Sequence, residues 1–456
     1  MNPSPSDTAI ASDHSDHRDH SDHRDHSDHA RPWLQMTDRE TLTRFQFIKL
    51  RAGLERALRG NAFLRVRLAD VDIASLTGME ALARLPFTHK DEFVADQREH
   101  PPYGANLSFP LHDYVRLHQT SGTTGHPLTI LDTVESWDWW AECWEAVFRA
   151  AGVGRADTVY LAFSFGPFIG FWSAYEGAKR IGALVVPGGG QTTQQRLRAM
   201  LATNTTVLVC TPTYALRLAE VAREEGIDLA SSPVRVTIHA GEPGASIPST
   251  RARIEEAWGA RAYDHIGMTE MGAYAFTCQQ QDGVHVNEAE FIAEVLDPTT
   301  SEPVAEGEQG ELVLTNLGRW GWPALRYRTG DRVIRGPSRC ACGRTLLTLP
   351  GGVLGRVDDM VVVRGVNIFP SSIEAALRQF PQVEEFRIIL TRAGEMDEVE
   401  VEVECPEELA PQVEQALRQA LSLRVPVRVA SPGSLPRFEL KARRVDDRRN
   451  LANGAR

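Results

Sequence analysis

Leu117–Ile130 reads LHQTSGTTGHPLTI, and its centre, Thr120 to Gly125, sets hydroxyl side chains and a pair of glycines directly after the strand-like run Tyr114 to Leu117. Such a loop suits phosphate. Glycines let backbone N–H groups close on an anion with no Cβ in the way, and hydroxyls add neutral donors around it. Alone, a Ser/Thr/Gly cluster is more often a plain connecting loop, so the rest of the chain has to decide.

After this loop a regular alternation begins. Short β-like runs at Val159–Ser164, Ala183–Pro187, Thr206–Thr211 and Val234–Ala240 alternate with helical segments at Ser173–Ile181, Thr193–Ala202, Tyr214–Glu225 and Ser249–Trp258. This predicts an α/β domain with a parallel sheet and covering helices. In such sheets ligands sit in the loops beyond the carboxyl ends of the strands. Polar, glycine-containing loops fall at those ends: Gly241-Glu242-Pro243-Gly244, Tyr263-Asp264-His265-Ile266-Gly267-Met268-Thr269-Glu270 and, after the β-rich stretches Glu290–Leu296 and Gly310–Thr315, Tyr327-Arg328-Thr329-Gly330-Asp331.

Before the loop, Leu42–Leu58 has helical apolar spacing, followed by the Pro-punctuated Leu85–Phe93. Beyond it, Gly355-Arg356-Val357-Asp358-Asp359 is polar and glycine-led, as a domain boundary should be. The remainder reads as strand (Met360–Val363), helix (Ser371–Gln379), strands (Val383–Thr391, Glu398–Cys405), helix (Glu408–Leu421) and strand (Val425–Val429). That order is βαββαβ, a small α+β unit of ferredoxin-like type. The expected organisation is a tail over 1–32, a large domain over 33–355, a small domain over 356–449 and a short tail over 450–456.

The 456 residues suffice for more than one domain. A net charge of −12 argues against a nucleic-acid partner, which requires a basic surface. No apolar run reaches the length of a membrane span, so no membrane association is expected. Six scattered cysteines suit a reducing compartment. With no charged segment leading into an apolar one at the start, the cytoplasm is the expected location. Residues 13–29 repeat Asp-His at every third position. This tail has nothing apolar to bury, is expected to be disordered, and reverses its net charge near pH ~6.5 as its imidazoles protonate.

Read together and in order, LPFTHKDEF, TSGTTGHP, AGEPG, YDHIGMTE, YRTGD, GRVDDMVVVRGVNIFPSSIE and LPRFELKARRVDDR resemble the adenylate-forming (acyl-AMP) enzymes, and within them the phenylacetate-CoA ligase family. The resemblance implies an AMP-forming acid–thiol ligase that uses ATP, Mg²⁺ and coenzyme A. A carboxylate attacks the α-phosphorus of ATP to give acyl-AMP, and a thiol then displaces AMP. Bringing two anions together needs cationic stabilisation and in-line positioning.

The roles it implies follow that need. Ser121, Gly122, Thr123, Thr124 and Gly125 would cradle the β- and γ-phosphates. Thr269 would donate to the α-phosphate, and Glu270 would ligate Mg²⁺. Asp331 and Arg356 would hold the ribose, while Gly241, Glu242 and Pro243, with Tyr263 and Asp264, would form the nucleotide loops. Lys441 resembles the lysine that bridges carboxylate and α-phosphate, and Asp358 the hinge about which the small domain rotates.

Two departures stand out. His126 takes the place of a usual Lys, making that phosphate-side cation pH-dependent. The aromatic segment Phe163–Trp172, with Phe165 and Phe168, reads equally as a wall of the acyl pocket, together with Ala240, or as core packing. Cys340-Ala-Cys342, joined by Cys278 and His285 on the arms of a hairpin, makes a Cys₃His set suited to structural zinc. An aromatic or arylacetic acid is the first expectation for the substrate. A small hydroxy or aliphatic acid, transfer to a carrier-protein phosphopantetheine, and an inactive nucleotide-binding homologue are the alternatives, and a homodimer is left open.

Overall fold

The computed structural model describes residues 38–120, 127–163, 165–337, 339–356, 361–363, 366–393, 396–421, 423–438, 442 and 444–449. The Asp/His repeat lies outside them.

Among the described residues the helices α1 (Arg39–Ala57), α2 (Ala62–Arg67) and α3 (Lys90–Glu99) come first. Short polar residues cap the first two: Asp38 accepts from the Glu40 and Thr41 N–H groups, and Asn61 from that of Leu64. Helix α1 buries Leu42, Leu50 and Leu54. Gln46 is buried among them because its amide donates to the Glu288 and Phe291 carbonyls.

Strands β1 (Tyr114–Gln119) and β2 (Thr129–Thr133) form an antiparallel hairpin whose connection carries the Ser/Thr/Gly loop. The Thr120 N–H donates to the Leu128 carbonyl and the Leu128 N–H to Thr120 Oγ1, closing the hairpin beneath that loop. Helix α4 (Val134–Ala150) starts at once, capped by Thr133.

Next come β3 (Thr158–Leu161), α5 (Trp172–Arg180), β4 (Leu184–Pro187), α6 (Thr193–Ala202), β5 (Val207–Cys210), α7 (Pro212–Glu224), β6 (Val236–His239), α8 (Pro248–Trp258) and β7 (Arg261–Met268). The helices begin and end within two residues of the sequence expectation, and β4-β3-β5-β6-β7 pair in parallel. Both faces of this sheet are buried, which alternation makes visible. Val207 and Val209 join the core with Trp144 of α4 and Ala174 of α5, whereas Leu208 and Cys210 join the core with Leu218 of α7 and Trp258 of α8.

The parallel pattern stops at β7. Thr269–Met271 is too short for a parallel crossover, so β8 (Gly272–Phe276) turns back antiparallel and β9 (Val284–Val286) follows it. Strands β10 (Phe291–Leu296), β11 (Gln309–Asn316) and β12 (Tyr327–Ile334) build a second, antiparallel sheet. Then β13 (Thr348–Leu349) pairs with β9, making the large sheet eight-stranded and mixed, and β14 (Gly355–Arg356) pairs with β12. Arg356 thus still belongs to the large domain's second sheet.

The small unit is α+β. A hairpin of β15 (Val361–Val363) and β16 (Val366–Ile368) leads into α9 (Pro370–Leu377), β17 (Phe386–Ala393), β18 (Met396–Val403), α10 (Ala410–Leu421), β19 (Val427–Val429) and β20 (Val445–Asp447). Its sheet runs β19-β18-β17-β20, so the fourth strand comes from the basic C-terminal segment and not from the expected Met360–Val363. That first strand pairs with its immediate neighbour, the contact with the smallest loop-closure cost. Among the described residues no helix is long and apolar enough to cross a membrane.

Candidate active site

At the seam between the two domains lies a cavity of about 370 Å³, lined by Gly241, Glu242, Asp264, Asp331 and Arg356 on one side and by Ala442 and Arg444 on the other. Topology brings these together. Parallel β6 and β7 end on the same edge, and Gly241 leaves β6 with φ +92°, a left-handed conformation that glycine enters without strain. Pro243 lines the same cavity.

Asp331 pairs with Arg356 across β12 and β14, with Nη1 3.6 Å from Oδ1. The Tyr274 hydroxyl donates to Asp331 Oδ2 at 3.3 Å. Burial first, and the Asp331 charge second, hold that hydroxyl's pKa well above its ordinary value, so it remains a donor.

Glu242 bridges the domains. Its Oε1 accepts the Thr213 N–H at 2.9 Å and its Oε2 the Ala442 N–H at 3.0 Å. Arg444, paired with Glu385 at 2.6 Å, reaches across to Thr213 Oγ1 at 3.2 Å. Lys441, Asp358, His126 and the loop residues Ser121, Gly122, Thr123, Thr124 and Gly125 lie outside the described residues.

Asp264 is buried and holds the loop before α8, accepting the Ala245 N–H at 2.7 Å and the Ser246 N–H at 2.6 Å. Burial raises its pKa against the lowering effect of those bonds. Tyr263 corrects an expectation. Its ring sits in the main core, its hydroxyl donates to Gln279 Oε1 at 2.8 Å, and it is absent from the cavity lining. Successive residues of a strand face opposite ways, so Tyr263 and Asp264 cannot share one face of β7.

Thr269 and Glu270 occupy the turn between β7 and β8. Glu270 is buried, with Oε1 3.2 Å from Lys90 Nζ on α3, so its surroundings already accept a cation. The Thr269 carbonyl accepts from Arg319, whose guanidinium is clamped at two points by Asp132 of β2, each at 2.6 Å, both side chains fully buried. One ion pair therefore fixes the Thr269 turn to the hairpin that carries the Ser/Thr/Gly loop. Sequence reasoning missed Lys90, Asp132 and Arg319. The available signal was a lone charge in each of two apolar stretches, LTILDTV and NLGRWGW.

Phe165 and Phe168 do not line the cavity. Phe165 meets Trp172 edge-on at 4.5 Å. Phe168 meets Phe163 at 5.4 Å, Phe163 meets Phe171 at 4.8 Å, Phe171 meets Trp144 at 5.9 Å, and Trp144 lies 4.2 Å from His265. Ala240 packs half-buried against the same core. Phe163 and Phe165 pack half-buried against the main core, and the series of rings ends at His265, which does line the cavity.

Away from this cavity, Cys278, His285, Cys340 and Cys342 place their ligand atoms within 4.8 Å of one another. Cys278 Sγ lies 3.9 Å from Cys340 Sγ, and Cys342 Sγ lies 3.5 Å from His285 Nε2. A tetrahedron with metal–sulfur bonds of roughly 2.3 Å has edges of about 3.8 Å, so the donor set fits zinc. The pairing of β9 with β13 and the Cys340–Arg344 turn bring the two halves together.

A family model for the AMP-binding enzyme matches residues 66–318, and one for the AMP-binding enzyme C-terminal domain matches residues 365–449. The chain is 32% identical over 449 residues to the phenylacetate-coenzyme A ligase of Thermus thermophilus, covering 92% of this chain and 99% of that relative. Among solved structures, 2-hydroxyisobutyryl-CoA ligase in the postadenylation state in complex with 2-HIB-AMP has a TM-score of 0.87 at 30% identity, covering 92% of this chain and 93% of that one. The same ligase with 2-HIB-AMP and CoA in the thioesterification state gives 0.70 at 31% identity over the same shares. The domain arrangement is therefore nearer the first state than the second.

Proposed function

Because the chain belongs to the AMP-binding enzyme family, we infer that it is an ATP-dependent, AMP-forming carboxylate–CoA ligase. A carboxylate oxygen attacks the α-phosphorus of ATP, the bond to pyrophosphate breaks, and the thiol of CoA then attacks the acyl carbon, losing its proton as AMP departs. The observation that carries this reading is the cavity at the domain seam, where Asp331, Arg356 and Glu242 meet Ala442, the residue after Lys441. A site built from both domains suits a reaction in two steps.

Within this reading Asp331 and Arg356 hold the ribose, and Gly241, Glu242 and Pro243 bear the adenine. The 121–125 loop cradles the outer phosphates and Thr269 donates to the α-phosphate. Glu270 would hold Mg²⁺, a hard cation that favours oxygen ligands and neutralises phosphate charge when bound. Arg319 and Asp132 keep the Thr269 turn rigid. Lys441 carries the positive charge that joins the two anions, a task suited to a point charge on a flexible stem. Asp358 is the hinge. Zinc in the Cys₃His set is structural.

An aromatic or arylacetic acid is the proposed substrate, supported by the phenylacetate in the relatives' names. The test is pyrophosphate release with Mg-ATP over a panel of acids, with and without CoA. CoA-dependent turnover with one acid class is expected. Slow, CoA-independent single turnovers would point to a carrier-protein acceptor, and no pyrophosphate with any acid would refute the ligase reading.

A further inference from the structure

His265 is 6% exposed and, with Tyr263, belongs to the face of β7 opposite Asp264, yet it lines the same cavity. Gly267 accounts for this. With no side chain at that position the strand leaves a gap, and His265 Nε2 stands 3.0 Å from where a Cβ on Gly267 would be. The cavity reaches through to the second face of β7 at this point.

The ring's hydrogen-bonding state follows from its neighbour. Nδ1 lies 3.1 Å from the Ala275 carbonyl, which can only accept, so Nδ1 carries the proton. Burial lowers the pKa to about 4, so the ring is neutral at pH 7 and Nε2 presents a lone pair. Among the described residues Nε2 has no hydrogen-bond partner. Its surroundings are aromatic, with Trp144 at 4.2 Å and Phe171 and Phe163 beyond. A single unanswered acceptor in an apolar wall selects a ligand with one donor, because an analogue without it leaves the acceptor unpaired.

Resting on the ligase reading, we propose that His265 Nε2 is the specificity-determining acceptor on the acyl side of the site, and that the acid activated here carries a hydroxyl that donates to it. Gly267 precedes Thr269 by two residues, about 6–7 Å of strand. With the carboxylate at the α-phosphate beside Thr269, the hydroxyl falls roughly three to five bonds from the carboxyl carbon. The ortho and meta positions of an arylacetic ring meet that span.

The test is steady-state pyrophosphate release with Mg-ATP and CoA, using phenylacetate, its 2- and 3-hydroxy derivatives, and the corresponding methyl and amino compounds, with the native enzyme and His265→Ile. The native enzyme should favour a hydroxy acid over its hydrogen and methyl counterparts by at least about tenfold in kcat/KM. In His265→Ile that preference should vanish and the methyl compound should gain, with the KM for ATP little moved. A native enzyme that favours phenylacetate or the methyl compounds overturns the proposal without touching the ligase reading, and needs no variant. So does a hydroxyl preference that survives in folded His265→Ile, or a preference for the amino compound. Pyrophosphate from none of the acids would instead remove the ligase reading, and this proposal with it.

Discussion

Replacing Glu242 by Ala should separate the two half-reactions. Its carboxylate holds the Thr213 N–H at 2.9 Å on the large domain and the Ala442 N–H at 3.0 Å on the small one. Only a domain orientation that brings Ala442 to the cavity makes the second bond, and Lys441 is the preceding residue. A hydrogen bond to a charged group is worth about 1.5–3 kcal/mol. At about 1.4 kcal/mol per factor of ten, its loss lowers the adenylation-competent population about 10- to 100-fold. ATP–pyrophosphate exchange reads the first half-reaction, and thioester formation from synthetic acyl-AMP and CoA reads the second. Glu242→Ala should lose exchange by that factor and keep thioester formation within about threefold. Glu242→Gln, retaining one acceptor oxygen, should fall between, and Lys441→Ala should give the same split more strongly. Equal losses in both halves would refute the reasoning, as would a higher KM for ATP with kcat intact, which would confine Glu242 to the adenine.

Asp132→Asn leaves the fully buried Arg319 without its counter-charge, and should destabilise the fold by about 3–5 kcal/mol in chemical denaturation. A loss under about 1 kcal/mol would show that the pair does not hold the Thr269 turn. His118, His239 and His265 each have a pKa lowered by burial from 6.5 to about 4. Since the folded value is below the unfolded one, their stability contribution is complete above pH 6.5 and is lost as pH falls toward 4. Each ring should account for about 1.6 kcal/mol of the fall between pH 6.5 and 5, and a denaturation midpoint flat over that window would contradict the burial argument. Zinc-replete expression should give one zinc per chain by native mass spectrometry, and chelation or Cys278→Ser should lower Tm while leaving exchange measurable. Metal-free protein from such a preparation would overturn the zinc assignment.

What is legible in this sequence is what each segment states about itself. The helices α5 to α8 and strands β3 to β7 each carry their own period, and α6 and α7 their own caps, such as Thr211 and Pro212 at the head of α7. Their order along the chain therefore reads directly. The polar loops after β6 and β7 announce a site for the same local reason. Contacts between distant segments do not read this way. Asp132 and Arg319 are 187 residues apart, and neither has a partner in sequence to betray the pair. The fourth strand of the small sheet, Val445–Asp447, lies within a run of charges that reads as a solvated tail until β17 is beside it.

Strand parity lies between these cases, since period two is visible in any sequence once a strand is assigned. Applied to Arg261–Met268 it puts Asp264, Ile266 and Met268 on one face and Tyr263, His265 and Gly267 on the other. Parity alone therefore sets Tyr263 on the face opposite Asp264. The same rule makes His265 the odd member of its face, a polar ring beside a residue without a side chain. A buried imidazole next to a glycine has either to be satisfied by the fold at both nitrogens or to face something that arrives later. Ala275 satisfies one nitrogen only. On the proposal that His265 meets the acyl group, one strand serves two binding faces, the nucleotide on the even positions and the acyl group on the odd ones, with Gly267 between them. A side chain at 267 should therefore impair acid binding more than ATP binding. An Ala at that position would place its Cβ 2.9 Å from the Gly272 carbonyl oxygen, closer than a Cβ sits to such an atom, and a tight 3.0 Å from His265 Nε2.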